Sequence, residues 1–157
     1  MPGTFSKIYI HLTFAVKGRA SLIHPQWEEE LFKYIAGIVR NKGQKLLAIN
    51  GMPDHLHLLV SLQPSCCISD LVREIKKSSN EFIKVRGFVR STFAWQEGYA
   101  AISVGYSSLA AVVNYIEKQK EHHSDQSFKD EYHRMLKESE IEFDAKYLFD
   151  WIDLPSN

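Results

Sequence analysis

The sequence lacks the features of a secreted or membrane-spanning protein. Its only two cysteines, Cys66 and Cys67, are adjacent, so a disulfide between them would be strained and we interpret both as reduced packing residues. The longest strongly apolar stretch, residues 56–62, is far shorter than the roughly 20 residues that a membrane helix needs. Charged residues interrupt the N-terminal region where a secretion signal would have its apolar core. These absences predict a cytoplasmic protein without a membrane partner.

The chain also lacks a net charge of either sign, because 19 Lys and Arg balance 19 Asp and Glu. The charges are nevertheless unevenly placed. Residues 73–90 contain six basic and two acidic residues, whereas residues 125–153 contain nine acidic and four basic residues. A basic segment of this kind is typical of a surface that contacts a polyanion, and equally of a solvated helix face. Charge alone therefore leaves a nucleic-acid partner open.

The length of 157 residues, 45% of them apolar, fits one domain with a hydrophobic core. Alternating apolar residues indicate strands, and apolar residues at helical spacing indicate helices. The resulting order of elements, β, α, β, β, α, β, α, predicts an α+β fold: a ferredoxin-like antiparallel sheet with helices packed on one face. The predicted strands are residues 7–16, 45–49 and 55–62 with one or two more over 93–104, and the predicted helices are about 25–42, 69–86 and 107–122.

We divide the chain into a core, residues 1–124, and a C-terminal extension of the same domain, residues 125–157. The extension is expected to contain a short helix that starts near residue 128. An irregular aromatic tail through Tyr147, Phe149 and Trp151 is expected to follow it.

Two histidines share one face of the third predicted strand. Because side chains alternate along a strand, His55 and His57 point to one side while Leu56 and Leu58 point to the core. Two adjacent imidazoles are a workable pair of ligands for a divalent metal. The spacing alone is a weak signal, since two surface histidines on a strand are the commoner meaning of such a pattern. His11 lies on the corresponding face of the first strand but carries no motif of its own.

The third predicted helix carries a tyrosine and a glutamine one turn apart. Tyr115 and Gln119 are separated by four residues and so share a face that differs from the apolar stripe of the helix. A tyrosine there is more often a surface residue, and its ordinary pKa of about 10 makes it unreactive without help. If the helix crosses the open face of the sheet, Gln119 could add a carbonyl oxygen to the two imidazoles. Tyr115 would then face a phosphate polarised by the same metal ion.

Several motifs, in a fixed order, resemble a known family. They are MPDHLHLLV, FAWQEGYAAISVGYSS and VVNYIEKQKEHH, followed by SFKDEYHRMLKE and IEFDAKYLFD. Together they resemble the small single-tyrosine transposases of bacterial insertion sequences and their REP-associated relatives, which belong to the His-hydrophobic-His nuclease superfamily. The resemblance extends from about Tyr9 to Asp150 and so covers nearly the whole chain.

The resemblance implies a DNA transposase that cleaves and rejoins single-stranded DNA through a metal-assisted 5′-phosphotyrosine intermediate. It implies that His55, His57 and Gln119 bind the metal, Mg²⁺ or Mn²⁺. Tyr115 would be the nucleophile, on a helix that lies over the sheet face opposite the other helices. Two other functions stay open: a non-catalytic module that binds single-stranded nucleic acid, and a metal-dependent phosphodiesterase that uses water.

The resemblance also implies two kinds of partner. One is a single-stranded DNA hairpin at the end of a mobile element, for which the basic helix with Arg73, Lys76 and Lys77 is the candidate contact surface. The other is a second copy of the chain. The short hinge at residues 105–107 could send the tyrosine helix to a neighbouring sheet, which predicts a homodimer with composite sites.

Overall fold

The computed structural model describes residues 3–18, 20–122 and 127–141, with the side chain of His122 left out. The predicted tail through Tyr147, Phe149 and Trp151 lies outside these residues. No helix within the described part of the chain has the length and apolar character needed to cross a membrane. The elements are β1 (Ile8–Ala15), α1 (Pro25–Asn41), β2 (Lys45–Met52), β3 (His55–Leu62), α2 (Ile68–Arg86), β4 (Ala100–Val104), α3 (Leu109–Glu117), α4 (Gln119–His122) and α5 (Phe128–Glu138), with a 3₁₀ turn (Tyr106–Ser108) before α3.

The four strands form one sheet in the order β2-β3-β1-β4, and all neighbouring strands are antiparallel. β3 and β1 are therefore the two central strands, and each pairs along its whole length with the other. This arrangement confirms the predicted α+β fold with a four-stranded antiparallel sheet and packed helices. The central position of β3 places both of its histidines in the interior of the sheet.

The sheet has a purely apolar face, which packs against α1 and α2. Leu12 and Phe14 of β1 and Leu56 and Leu58 of β3 are wholly buried on this side. They alternate with residues that point to the opposite face, as expected from the two-residue period of a strand. From the helices, the same core receives Trp27, Leu31, Ile35, Ile38, Val39, Leu71, Val72, Ile75 and Ile83.

The opposite face of the sheet is covered by α3 and α5. The position of α3 confirms the prediction that the tyrosine helix lies over this face. α5 was not predicted to pack here, and it covers the end of the sheet at which β3 begins. The α3 cluster contains Ile116 with Tyr9, Ala48 and Leu59, and the α5 cluster contains Phe128, Tyr132 and Leu136 with Ala15 and Ala100.

The third predicted helix is shorter than expected and is interrupted. It begins with the 3₁₀ turn, continues as α3, and breaks at Lys118, whose φ and ψ of −97° and 21° are not helical. α4 then starts at Gln119. The break therefore separates Tyr115, in the last turn of α3, from Gln119.

β2 is longer than predicted, and the turn that follows it is correspondingly tighter. Residues 50–52 were expected in a loop, but they continue β2 and pair with the first residues of β3. Only Pro53 and Asp54 remain between the strands. Gly51 permits this close pairing, because a Cβ atom there would lie 2.2 Å from the carbonyl oxygen of His55.

Two further boundaries are close to the predicted ones. α2 begins at Ile68, one residue before its predicted start. Of the one or two strands predicted over residues 93–104, the structure forms one, β4, while Trp95 forms only an isolated bridge with Val16.

Replacing Gly51 should destabilise the protein at the point where β3 begins. We expect Gly51→Ala to lower the free energy of unfolding by about 1–3 kcal/mol, as overpacking does, because the added methyl group meets the His55 backbone. Urea denaturation measures the effect. Gly37→Ala in α1 is the matched control, since nothing lies within 4 Å of its added Cβ and alanine favours a helix. Equal stabilities for Gly51→Ala and the wild type would contradict this account.

Candidate active site

The two histidines of β3 lie beneath α4 and α5, and both are wholly buried. Their ring centroids are 5.1 Å apart. Phe128 of α5 stacks on the His55 ring at 3.9 Å and an interplanar angle of 10°. His55 and His57 therefore share one face of the sheet, as the alternation predicted, and both lie in the protein interior.

One ring nitrogen of His55 is hydrogen-bonded to a carboxylate, and the other ring nitrogen lies near two side-chain oxygens. Its Nδ1 lies 2.7 Å from Oδ1 of Asp54. Because a carboxylate only accepts, Nδ1 is the donor, and the Nε2 of a neutral ring then carries a lone pair. That Nε2 lies 3.3 Å from Oε1 of Gln119 and 3.5 Å from Oε1 of Glu131.

His57 is held in a similar way by another histidine. Its Nδ1 lies 2.8 Å from Nε2 of His11, and its Nε2 lies 2.8 Å from Oε1 of Glu131. Burial, together with the charge of the neighbouring His57, lowers the pKa of His11 to about 3, although the Glu131 carboxylate opposes this shift. His11 is therefore a neutral partner that fixes the ring of His57. Such partners on the second nitrogen are typical of histidines that bind metals.

Tyr115 points into the same cluster. Its ring centroid is 5.8 Å from that of His57, and its hydroxyl donates to Oε2 of Glu131. Nη2 of Arg134 donates to the tyrosine oxygen at 3.2 Å. Burial, together with the hydrogen bond to Glu131 and the charge of that carboxylate, raises the pKa of Tyr115. The hydroxyl is thus protonated and hydrogen-bonded in this state.

Gln119 joins the cluster although the helix breaks before it. It is wholly buried, and its amide nitrogen lies 3.4 Å from the Tyr115 carbonyl oxygen and 3.5 Å from Oε2 of Glu131. Its carbonyl oxygen therefore turns toward His55. The structure brings together all four residues singled out as metal ligands and nucleophile; their roles remain predictions.

Glu131 is the residue of this cluster that sequence reasoning missed. It is wholly buried in α5, between the two histidines and Tyr115. One signal could have found it: Phe128, Tyr132 and Met135 form the apolar stripe of α5, and Glu131 interrupts that stripe with a charge. A charged side chain at such a position needs a polar partner in the interior.

These side chains fit a divalent metal. Single ligand atoms of His55, His57 and Glu131 all lie within 4.8 Å of one another. Ligands about 2.1 Å from one ion and at right angles around it are about 3 Å apart, and the nitrogen–oxygen distances here are 2.8–3.5 Å. Two imidazole nitrogens and carboxylate or amide oxygens are a donor set that first-row divalent ions accept. The group could therefore hold a metal ion.

An open cavity of about 440 Å³ lies beside the tyrosine. Tyr115, His11 and Arg134 line it, together with apolar side chains of β4 and α3 and with Glu138, which lies 3.9 Å from Arg134. A phosphate in this cavity would have the tyrosine hydroxyl and the Arg134 guanidinium within reach, and it would compete with Glu138 for that guanidinium.

The three basic residues predicted to contact DNA lie apart from this cluster, on α2. Arg73 and Lys77 line a second cavity, of about 420 Å³, together with Trp95 and Tyr99. Arg73 also pairs with Asp70.

Lys76 borders the same cavity but has a structural contact. Its ammonium group donates to the carbonyl oxygens of Gln96, Glu97 and Gly98 at 2.7, 3.2 and 2.8 Å. Burial lowers its pKa to about 8. Lys76 therefore fixes the loop before β4, which limits what it can offer a ligand.

Comparison with known proteins finds similar sequences and similar folds. The ISDra2 transposase TnpA of Deinococcus radiodurans is 25% identical over 122 residues, which are 74% of this chain and 87% of that protein. A crystal structure from Deinococcus radiodurans R1, described as a candidate transposase, has a TM-score of 0.63 and 26% identity over 76% of this chain and 95% of its own.

A REP-associated tyrosine transposase, solved bound to a REP hairpin, has a TM-score of 0.59 and 20% identity over 99% of this chain and 94% of its own, and at this identity it supports the fold alone. The family described as IS200-like transposases matches residues 4–119. That segment is most of the chain and ends at Gln119, so it contains the histidine pair and Tyr115. The chain therefore belongs to the IS200-like transposase family.

Proposed function

We propose that this chain cleaves and rejoins single-stranded DNA, with Tyr115 as the nucleophile. The observation that carries the proposal is the packing of the half-buried Tyr115 and the wholly buried Gln119 against His55 and His57 within one chain. Membership of the transposase family supports the same reaction. A half-buried tyrosine with a raised pKa is otherwise an ordinary packing residue, so the neighbouring metal-type ligands are the decisive feature.

In the proposed reaction the tyrosine oxygen attacks a phosphodiester phosphorus. A tyrosine–phosphorus ester forms, and the bond from phosphorus to the 3′ oxygen breaks. The tyrosine loses a proton and the departing oxygen gains one, so the products are a 5′-phosphotyrosine and a free 3′-hydroxyl. Because the linkage is still a phosphodiester, a 3′-hydroxyl can attack it and rejoin strands without a nucleotide cofactor. This reversibility is what transposition needs.

His55, His57 and Gln119 would hold the divalent ion, Mg²⁺ or Mn²⁺. When bound, the ion supplies positive charge that offsets the charge developing on the phosphate oxygens. The protein supplies the positions of the reacting groups. α3 carries the tyrosine hydroxyl, Asp54 orients the imidazole of His55, and His11 orients that of His57. Arg134, which donates to the tyrosine oxygen, is placed to meet the phosphate as it enters.

The DNA partner we propose is a single-stranded hairpin, because a relative of the same fold was solved with a REP hairpin. Arg73 and Lys77, beside the half-buried ring of Tyr99, form a surface of suitable charge for a phosphate backbone, and Tyr99 could contact a base. The loop before β4 connects this surface to the site, since Gln96 is hydrogen-bonded to Ala15, which pairs with His55.

The homodimer stays a prediction. In the structure α3 carries Tyr115 to the histidines of its own chain, with Asn50 of β2 donating to the Glu117 carbonyl oxygen at 3.0 Å. This arrangement supports a site that is formed within one chain, without exchange of α3. We accordingly propose that each chain cleaves with its own tyrosine, whether or not two chains associate.

Removing one hydroxyl group tests the nucleophile. Tyr115→Phe, incubated with Mn²⁺ and labelled single-stranded hairpin DNA, should form no denaturant-stable protein–DNA adduct, while its fold and DNA affinity stay close to wild type. Tyr106→Phe is the matched control, because this tyrosine is 78% exposed just before α3 and should leave the adduct intact. Cleavage without an adduct in the wild type would favour a phosphodiesterase that uses water. Binding without cleavage at any metal concentration would favour a non-catalytic module.

Salt dependence tests the DNA surface. Arg73→Ala and Lys77→Ala should each weaken hairpin binding and reduce the slope of log affinity against log salt by about one, because each removes one phosphate contact. Fluorescence anisotropy between about 50 and 300 mM NaCl measures the slope. Lys33→Ala, an exposed lysine on α1, is the control that should leave the slope unchanged. Equal slopes for all four proteins would place the DNA on another surface.

A further inference from the structure

We propose that Glu131 of α5 is a fourth protein ligand of the divalent ion and that its second oxygen positions the hydroxyl of Tyr115. The inference rests on the proposed function and deepens it. It extends the site to a helix that lies beyond the family-matched segment, residues 4–119. The C-terminal helix would then belong to the catalytic machinery and would not be an accessory tail.

The two oxygens of Glu131 face two different kinds of partner. Oε1 lies 2.8 Å from Nε2 of His57 and 3.5 Å from Nε2 of His55, so it faces the two ring nitrogens that would bind the metal. Oε2 accepts from the Tyr115 hydroxyl and lies 3.5 Å from the Gln119 amide nitrogen. One carboxylate therefore links the metal-type ligands to the nucleophile.

The polarity of the cluster favours a cation at its centre. Nε2 of His55, the Gln119 carbonyl oxygen and a Glu131 carboxylate oxygen converge on one small volume, with the two oxygens 3.3 and 3.5 Å from that nitrogen. A wholly buried carboxylate also costs free energy unless a positive charge compensates it. A divalent ion satisfies both requirements at once.

The packing of α5 explains how the carboxylate is held in place. Phe128, one turn before Glu131, stacks on His55, and Tyr132 lies in the cluster with Ala15 and Ala100 of the sheet. Ser127 caps the helix by accepting from the Asp130 backbone N–H at 3.2 Å. Because the helix is fixed by apolar contacts on both sides of Glu131, the carboxylate reaches the histidines without a flexible tether.

Metal affinity, measured without DNA, is the first test. In isothermal titration with Mn²⁺, Glu131→Gln and Glu131→Ala should each raise the dissociation constant at least tenfold, as loss of a charged ligand does. Asp130→Asn, the neighbouring exposed carboxylate of α5, is the control and should leave the constant unchanged. Circular dichroism and thermal melting verify that the variants fold. A change below tenfold in both folded variants would overturn the assignment of Glu131 as a ligand.

The positioning role is tested at saturating Mn²⁺, where loss of affinity no longer matters. The single-turnover rate of adduct formation should remain at least tenfold below wild type in Glu131→Gln, because the tyrosine has lost its charged acceptor. A rate restored to the wild-type value would overturn this part of the proposal. If the wild-type chain itself forms no adduct, the proposed function fails, whereas the metal titration still decides whether Glu131 is a ligand.

The wild-type chain gives a second measurement if the variants do not fold. In crystals grown with Mn²⁺, an anomalous difference peak at the manganese edge is expected within about 2.3 Å of a Glu131 carboxylate oxygen and of both histidine Nε2 atoms. A peak bonded to the histidines with Glu131 turned away would contradict the proposal.

Discussion

The candidate site depends on the pairing of β1 with β3 in one register. In that register His11 lies beside Leu59 and Thr13 beside His57, so the polar residues of both central strands fall on the same face. A shift of one residue would turn Leu56 and Leu58 outward and bury the histidines in the apolar core. Since the apolar face is fully covered by α1 and α2, the free energy of the core also fixes the positions of the two imidazoles.

The helices that cover the opposite face of the sheet complete the site. α3 carries Tyr115 to the histidines, the segment after the break at Lys118 carries Gln119, and α5 carries Glu131. Gln119 and Glu131 are wholly buried, and Tyr115 is half-buried. The cluster is held by hydrogen bonds between side chains that are far apart in the sequence, such as His57 and Glu131, which are 74 positions apart. A buried polar network of this kind specifies one arrangement, because a displaced member leaves others without partners. The same rigidity suits a reaction that requires in-line geometry.

The sequence predicts the parts of this site that follow a local period. The strand alternation places His55 and His57 on one face, and the four-residue helical spacing places Tyr115 near Gln119. The family resemblance, not the spacing, singles out these four residues. The charge of Glu131 within the apolar stripe of α5 indicates a buried polar partner, but the sequence does not show that this partner is the histidine pair, because that depends on how the helix docks on the sheet. The sequence also does not predict that Lys76 donates to three backbone carbonyl groups, because a basic residue in a basic segment is expected to be a surface charge. The extension of β2 through Gly51 depends on a close backbone approach that no propensity records.

The central claim is that one chain assembles the metal ligands and the nucleophile of a single site. The most direct measurement co-expresses His57→Ala chains with Tyr115→Phe chains, purifies any mixed species, and assays adduct formation with hairpin DNA and Mn²⁺. The structure predicts that no activity returns, because every chain carries a lesion in its own site. A mixture of wild-type and doubly substituted chains should retain activity and serves as the control. Recovery of activity in the mixture of single variants would contradict the account and would show that α3 serves a partner chain.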